Sequence, residues 1–345
     1  MNKVRRLVSS TAFLLSFAWI SPLLADEIAD KAVVCERATG EEKIAACTYV
    51  LQSDRGSSGA RAKVHNARGL AYIRLNKTSE ALADFNSAIA LDPTLVDSLA
   101  NRATVYSRLG QEEKALQDVD AALALRPENV TLLFNRGTTY NHLKRYDRAI
   151  SDFDRALALQ SSDAGLFYAR GISYRGLGKY DRAIQDFNSA IALKPDYDDV
   201  FSDRGATYAK MAMYDRAALD FDRTIALNPR NYNAIFNRGI LHSRQSQWSL
   251  SVADFDRAIA LNPRDAHALE MRADAQFHLG NFAKTVADYS SALAIDAKSA
   301  PALYVRGLAK LKMGDVQDGN ADIAAAKLLD AKIAENYDKG YIAKQ

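Results

Sequence analysis

No charge of either sign predominates in these 345 residues, where 45 basic side chains face 42 acidic ones for a formal net charge of +3. Three of the basic residues, Lys3, Arg5 and Arg6, sit at the very start, so the remainder is formally neutral. With no arginine-rich tail or basic stripe to release counterions from phosphates, nucleic acid is excluded as a partner. Long apolar runs are also missing beyond the start. Leu7 to Ile20 is too short for a permanent span, which takes about 20 apolar residues. Only two cysteines are present, Cys35 and Cys47, and with no nearby histidine they make a weak metal site. The five histidines, His65, His142, His242, His267 and His278, form no i, i+4 ligand pair. His267 and His278 could share a helix face, but read as solvated surface residues. No glycine-rich loop follows a strand pattern, and no serine, histidine and acid set assembles. Every acid is absorbed by a ladder described below, by helix starts or by exposed faces. The sequence therefore gives no metal, no cofactor and no catalytic residue, and the expectation is a protein that is not an enzyme.

The basic start, the apolar run, Pro22 and the small Ala25 read as a secretory signal peptide over 1–25, cut after Ala25. An uncleaved N-terminal membrane anchor is the alternative, because Leu23 fits the cleavage pattern less well than alanine. Export implies an oxidising compartment, a periplasm being the natural one, and there Cys35 and Cys47 read as a disulfide, with two buried reduced thiols as the alternative. Asp26 to Ala38 and Glu41 to Gln52 both look helical around a break at Gly40. Residues 26–61 are thus expected to form a helical hairpin cap, closed by a turn-rich loop at Ser53 to Ala60.

What is abundant is repetition. Aligned on one central position, Phe85, Val119, Phe153, Phe187, Phe221, Phe255, Tyr289 and Ile323 recur every 34 residues without insertion. The units are 62–95, 96–129, 130–163, 164–197, 198–231, 232–265, 266–299 and 300–333. In the fourth, Phe167, Gly171 and Tyr174 share one helix face, as do Ala183, Phe187 and Ala190 on the next helix. Gly178 lies between the two helices, Asp181 suits the positive end of the second, and Pro195 stops it. Gly171 is expected to face Ala183 and Ala190. The terminal units drift in pattern, and 334–345 is expected to add a capping helix with Tyr337 and Tyr341.

The period and the G…Y…A…F…A…P pattern resemble the tetratricopeptide repeat family, over about four fifths of the chain. The resemblance implies an all-α fold, a right-handed superhelical solenoid of antiparallel helix pairs. It also implies a groove, lined by the first helices, that takes an extended peptide or a partner protein.

Two further series belong to this chain. An arginine stands at position 7 of each unit (Arg68, Arg102, Arg136, Arg170, Arg204, Arg238, Arg272, Arg306), and an aspartate at position 23 (Asp84, Asp118, Asp152, Asp186, Asp220, Asp254, Asp288, Asp322). A guanidinium offers a carboxylate a two-pronged bond, so the two series read as a structural ladder, either within units or between neighbours. Lys114, Arg148, Arg182 and Arg216 are competing partners for four of the aspartates. A row of arginines for an anionic ligand is the alternative.

The family resemblance places positions 2, 5, 6, 9, 12 and 13 at the groove. The candidate binding residues are Asn101, Phe134, Asn135, Asn141, Tyr168, Arg175, Asp203, Phe236 and Asn237, an aromatic, amide and basic mixture. The bland alternative has the aromatics packing inside and the polar groups facing water. Lys63 with Asn101 matches only part of the family's carboxylate clamp. The expected function is a non-enzymatic scaffold or adaptor of the cell envelope. Its alternative is an accessory structural subunit that acts through its convex face or by self-association. Nothing in the sequence identifies the partner or the oligomeric state.

Overall fold

A computed structural model describes residues 22–338, with side chains described for 26–335. The expected leader lies outside the described residues up to residue 21. The first helix, α1 (Pro22–Arg37), runs through the expected cleavage point after Ala25. The described residues are helical throughout, with short connections, and group into two compact units, one ending at Leu193 and the other starting at Lys194.

The first unit pairs α1 with α2 (Gly40–Gln52), α3 (Ser58–Arg74) with α4 (Thr78–Leu91), and α5 (Val96–Arg108) with α6 (Glu112–Leu125). It continues with α7 (Val130–His142) on α8 (Tyr146–Leu159), and α9 (Ala164–Gly176) on α10 (Tyr180–Leu193). The second unit pairs α11 (Asp198–Lys210) with α12 (Tyr214–Leu227), α13 (Tyr232–Arg244) with α14 (Trp248–Leu261), and α15 (Ala266–His278) with α16 (Phe282–Ile295). It ends with α17 (Ala300–Lys312) on α18 (Val316–Leu329), followed by α19 (Ile333–Asp338). Within each unit, every first helix also touches the next first helix, which is the stacking of an all-α solenoid. The C-terminal helix expected over 334–345 is described only as far as Asp338.

The local reasons are legible residue by residue. Asn129, Asp163, Asn231, Asp265 and Ser299 each stand just before a first helix and accept from its free N–H groups. Between the two helices of each pair, position 15 takes a left-handed backbone. Gly178 adopts it at φ 71°, but Asn76, Lys144, Ala212 and Ser246 adopt it too, at 57 to 59°. Each compact unit is cored by rings, with Phe85, Phe153 and Phe187 fully buried in the first and Phe221 and Phe255 in the second.

Two expectations need correction. Ser53 to Ala60 is not all loop, because Ser57 caps Ala60 N–H at 3.2 Å and α3 starts at Ser58. Gly171 lies chiefly against the ring of Phe187, where an added Cβ would stand 2.7 Å from Cε1, with the Ala183 carbonyl next at 3.3 Å and Ala190 not among its nearest neighbours. The second repeat, 96–129, exchanges the sizes: Ala103 stands in place of the glycine and Val119 in place of the phenylalanine, both buried in one core. The disulfide joins Cys35 on α1 to Cys47 on α2, both buried in a small core with Ala46, Val50 and Val64.

Candidate functional site

The arginine of each first helix grips the aspartate of its own second helix with both prongs. Arg170 Nε and Nη2 donate to the two oxygens of Asp186 at 2.8 Å. The same fork occurs at Arg68, Arg102, Arg136, Arg204, Arg238, Arg272 and Arg306. The aspartates are buried, and the hydrogen bonds from Arg raise the guanidinium pKa of Arg136, Arg170 and Arg238. For Asp84, burial pushes the carboxyl up, but the bonds from Arg68 and His65 outweigh it and hold the group below its usual range.

The remaining nitrogen, Nη1, leaves the unit. In Arg136, Arg170, Arg238 and Arg272 it reaches Asp120, Asp154, Asp222 and Asp256 on the preceding second helix, at 2.6 to 2.7 Å. In Arg102 it reaches Asn86, and in Arg68 it reaches Thr48 on α2. Sequence reasoning missed these acceptors, although all but Thr48 stand at position 25 of the preceding repeat, where the 34-residue alignment would have found them. The competing cations go elsewhere: Arg148, Arg182 and Arg216 lie over Tyr140, Tyr174 and Tyr208 at 5.6 to 5.8 Å, and Lys114 lies over Tyr106.

The groove candidates divide by burial. Asn101 is 1% exposed and Asn135 7%. The Asn101 amide donates to Asn66 Oδ1 at 3.0 Å, where Ser98 also donates, so it links neighbouring first helices instead of facing open water. The Oδ1 atoms of Asn101 and Asn135 have no donor among the described residues. Asn141 bridges to the next repeat through the Ala169 carbonyl and the Ser173 hydroxyl. The aromatic candidates turn partly inward: Phe134 lies 6.0 Å from Phe153, Tyr168 lies 6.1 Å from Phe187, and Phe236 lies 5.5 Å from Phe255. Tyr168 is buried, whereas Phe134, Phe236, Arg175, Asp203 and Asn237 are half-buried.

The two histidines expected to be solvated are both exposed, and each also rests on an aromatic ring. His267 packs on Phe236 at 5.3 Å, and His278 stacks on Trp248 at 4.0 Å with burial lowering its pKa. Repeat 7 also holds two acids that are neither ladder, helix start nor free surface. Glu270 accepts from Ser299, and Asp274 accepts from the hydroxyl of Tyr289. Burial pushes Asp274 up to about 7, Tyr289 opposes this, and Glu270 adds to it. The sequence signal was available, since position 9 elsewhere is Leu, Thr, Ile or Ala, and a tyrosine replaces the central residue only at Tyr289. Among the described residues, no group of three or more His, Cys, Asp or Glu side chains converges as a metal site, and no helix is long and apolar enough to cross a membrane.

A family model described as TPR repeat matches residues 173–211, and models described as Tetratricopeptide repeat match 62–95, 100–164 and 236–300. No curated protein matches the chain. Among solved structures it is similar to a tetratricopeptide repeat protein from Parabacteroides merdae, with a TM-score of 0.60 and 23% identity over 73% of this chain and 98% of the other. It is also similar to a structure from the functional characterization of Pseudomonas aeruginosa pilF, with a TM-score of 0.53 and 20% identity over 62% of this chain and 97% of the other. At such identities the likeness speaks for the fold alone. The 34-residue helix pairs, the glycine-on-ring packing within them and family matches over more than half of the chain place this protein in the tetratricopeptide repeat family.

Proposed function

We propose that the protein is a non-enzymatic scaffold of the cell envelope that takes an extended peptide or partner segment along its first helices. One observation carries the reading: the ladder absorbs the charges that recur in every repeat, so the chemistry that varies sits on the first helices. That stripe offers half-buried Phe236, Asn237 and Asp203 in one unit and Phe134, Asn141 and Arg175 in the other, a mixture of apolar contact and hydrogen bonding suited to an extended chain. Asn101 and Asn135 would join only if their amides turned outward, which their missing donors would make less costly. Export is supported by the Cys35–Cys47 disulfide, since such bonds persist in oxidising compartments.

The second reading, action through the convex face, draws on Leu219 and Leu250, exposed by 69% and 53% on α12 and α14. Two variants separate the readings in affinity capture from the native cell. Asn233→Ala with Asn237→Ala, exposed position 2 and half-buried position 6 of one repeat on α13, should abolish capture of the partner while Leu219→Ser with Leu250→Ser leaves it intact. The opposite result would transfer the function to the second helices.

A further inference from the structure

The links between successive repeats are not equal in strength. In the second unit, Arg238 and Arg272 reach back to the carboxylates of Asp222 and Asp256, both at 2.6 Å. At the next seam the same nitrogen of Arg306 finds a hydroxyl, Ser290 Oγ, at 3.2 Å. The first unit shows the same grading, with Asp120 and Asp154 at its inner seams and neutral Asn86 and Thr48 toward its N-terminal end. That end is closed by the disulfide hairpin. Every one of these bonds comes from a charged guanidinium, but at the aspartate seams it ends on a second charge and at the serine, asparagine and threonine seams on a neutral dipole, which attracts it less.

A second polar link at the seam between α15–α16 and α17–α18 is also charge to hydroxyl. Ser299 donates to Glu270 at 2.8 Å while its oxygen caps the Ala302 N–H of α17. The forks of Arg306 and Lys310 onto Asp322 lie wholly within the last pair, so they survive if that pair moves. Helix α19 packs on α17 and α18, so it belongs with the last pair, and Val316 and Leu328 on that pair stay 58% and 89% exposed.

We infer that α17–α19 form a movable end that undocks from α16 as one body while α11–α16 stay closed, a conformational device set by a serine at position 25. Opening breaks Arg306–Ser290 and Ser299–Glu270, and parts Tyr289 and Leu293 from Tyr304 and Val305, which share one small core. It would let the stripe of first helices shorten by one repeat. This inference does not depend on the groove reading.

Hydrogen exchange followed by mass spectrometry on the whole protein tests it. Amides of α17 and α18 should exchange together, about tenfold or more faster than those of α13 to α16. Ser290→Asp should slow them by up to about fivefold, the worth of a partly exposed ion pair, and leave α13 and α14 unchanged. Asp256→Ser should move the boundary back, so that α15 to α18 exchange as one body. Equal protection of α15 to α18 in the native protein, or no response of α17 and α18 to Ser290→Asp, would overturn the proposal.

Discussion

Gly171 is fixed by the ring it touches. Adding a methyl group there places Cβ 2.7 Å from Phe187 Cε1, closer than carbon atoms pack. Gly171→Ala should destabilise by about 1–3 kcal/mol in urea unfolding, as overpacking does. Phe187→Val in the same chain should recover part of the loss, because Ala103 with Val119 already shows that combination in use. Asp274 makes a second prediction at this scale. Its folded pKa, about 7, lies above the ordinary aspartate value, so the stability it contributes is full below about pH 4 and lost as pH rises through 7. The thermal midpoint should therefore fall between about pH 4 and 7, by an amount equivalent to roughly 2 kcal/mol once solvent screening of a half-buried group is allowed for. Asp274→Asn should flatten this part of the profile, and a slope unchanged in that variant would remove Asp274 as its source.

Helix pairs are where the sequence spoke most clearly and where its silence is easiest to explain. A 34-residue period with rings, glycines and arginines in phase is set by contacts inside one unit, so the helices and the partners of the arginine ladder could be read from spacing. The outward nitrogen of each arginine was harder to place, because Asp154 and Asp222 belong to the preceding unit and alternate with Asn86 and Ser290. The candidate groove was legible only as positions. Whether Asn101 faces water or Asn66 depends on how two first helices stack, and no single helix encodes that. The start of α3 at Ser58 escaped because its serine and glycine residues suit loops, whereas Ser57 acts as a cap.

The inner prongs should dominate the docking of the helices. Arg170→Leu leaves Asp186 buried without its partner and should cost about 3 kcal/mol in denaturant unfolding. Asp154→Ala removes only the outer prong, whose carboxylate is half exposed, and should cost less than about 1 kcal/mol. Equal losses in the two variants would mean that the link between repeats, and not the fork within one, sets the stability.

For the molecule as a whole, the account separates an architecture written by recurring residues from a binding surface written by varying ones. Site-specific photo-crosslinking in the native cell tests that separation most directly, with the crosslinker placed singly at exposed first-helix positions (Lys63, Asn233 and His267) and at the exposed second-helix positions Leu219 and Leu250. The account predicts a shared crosslinked partner from the first-helix sites, with little from the second-helix sites. Partner crosslinks confined to Leu219 and Leu250 would contradict it.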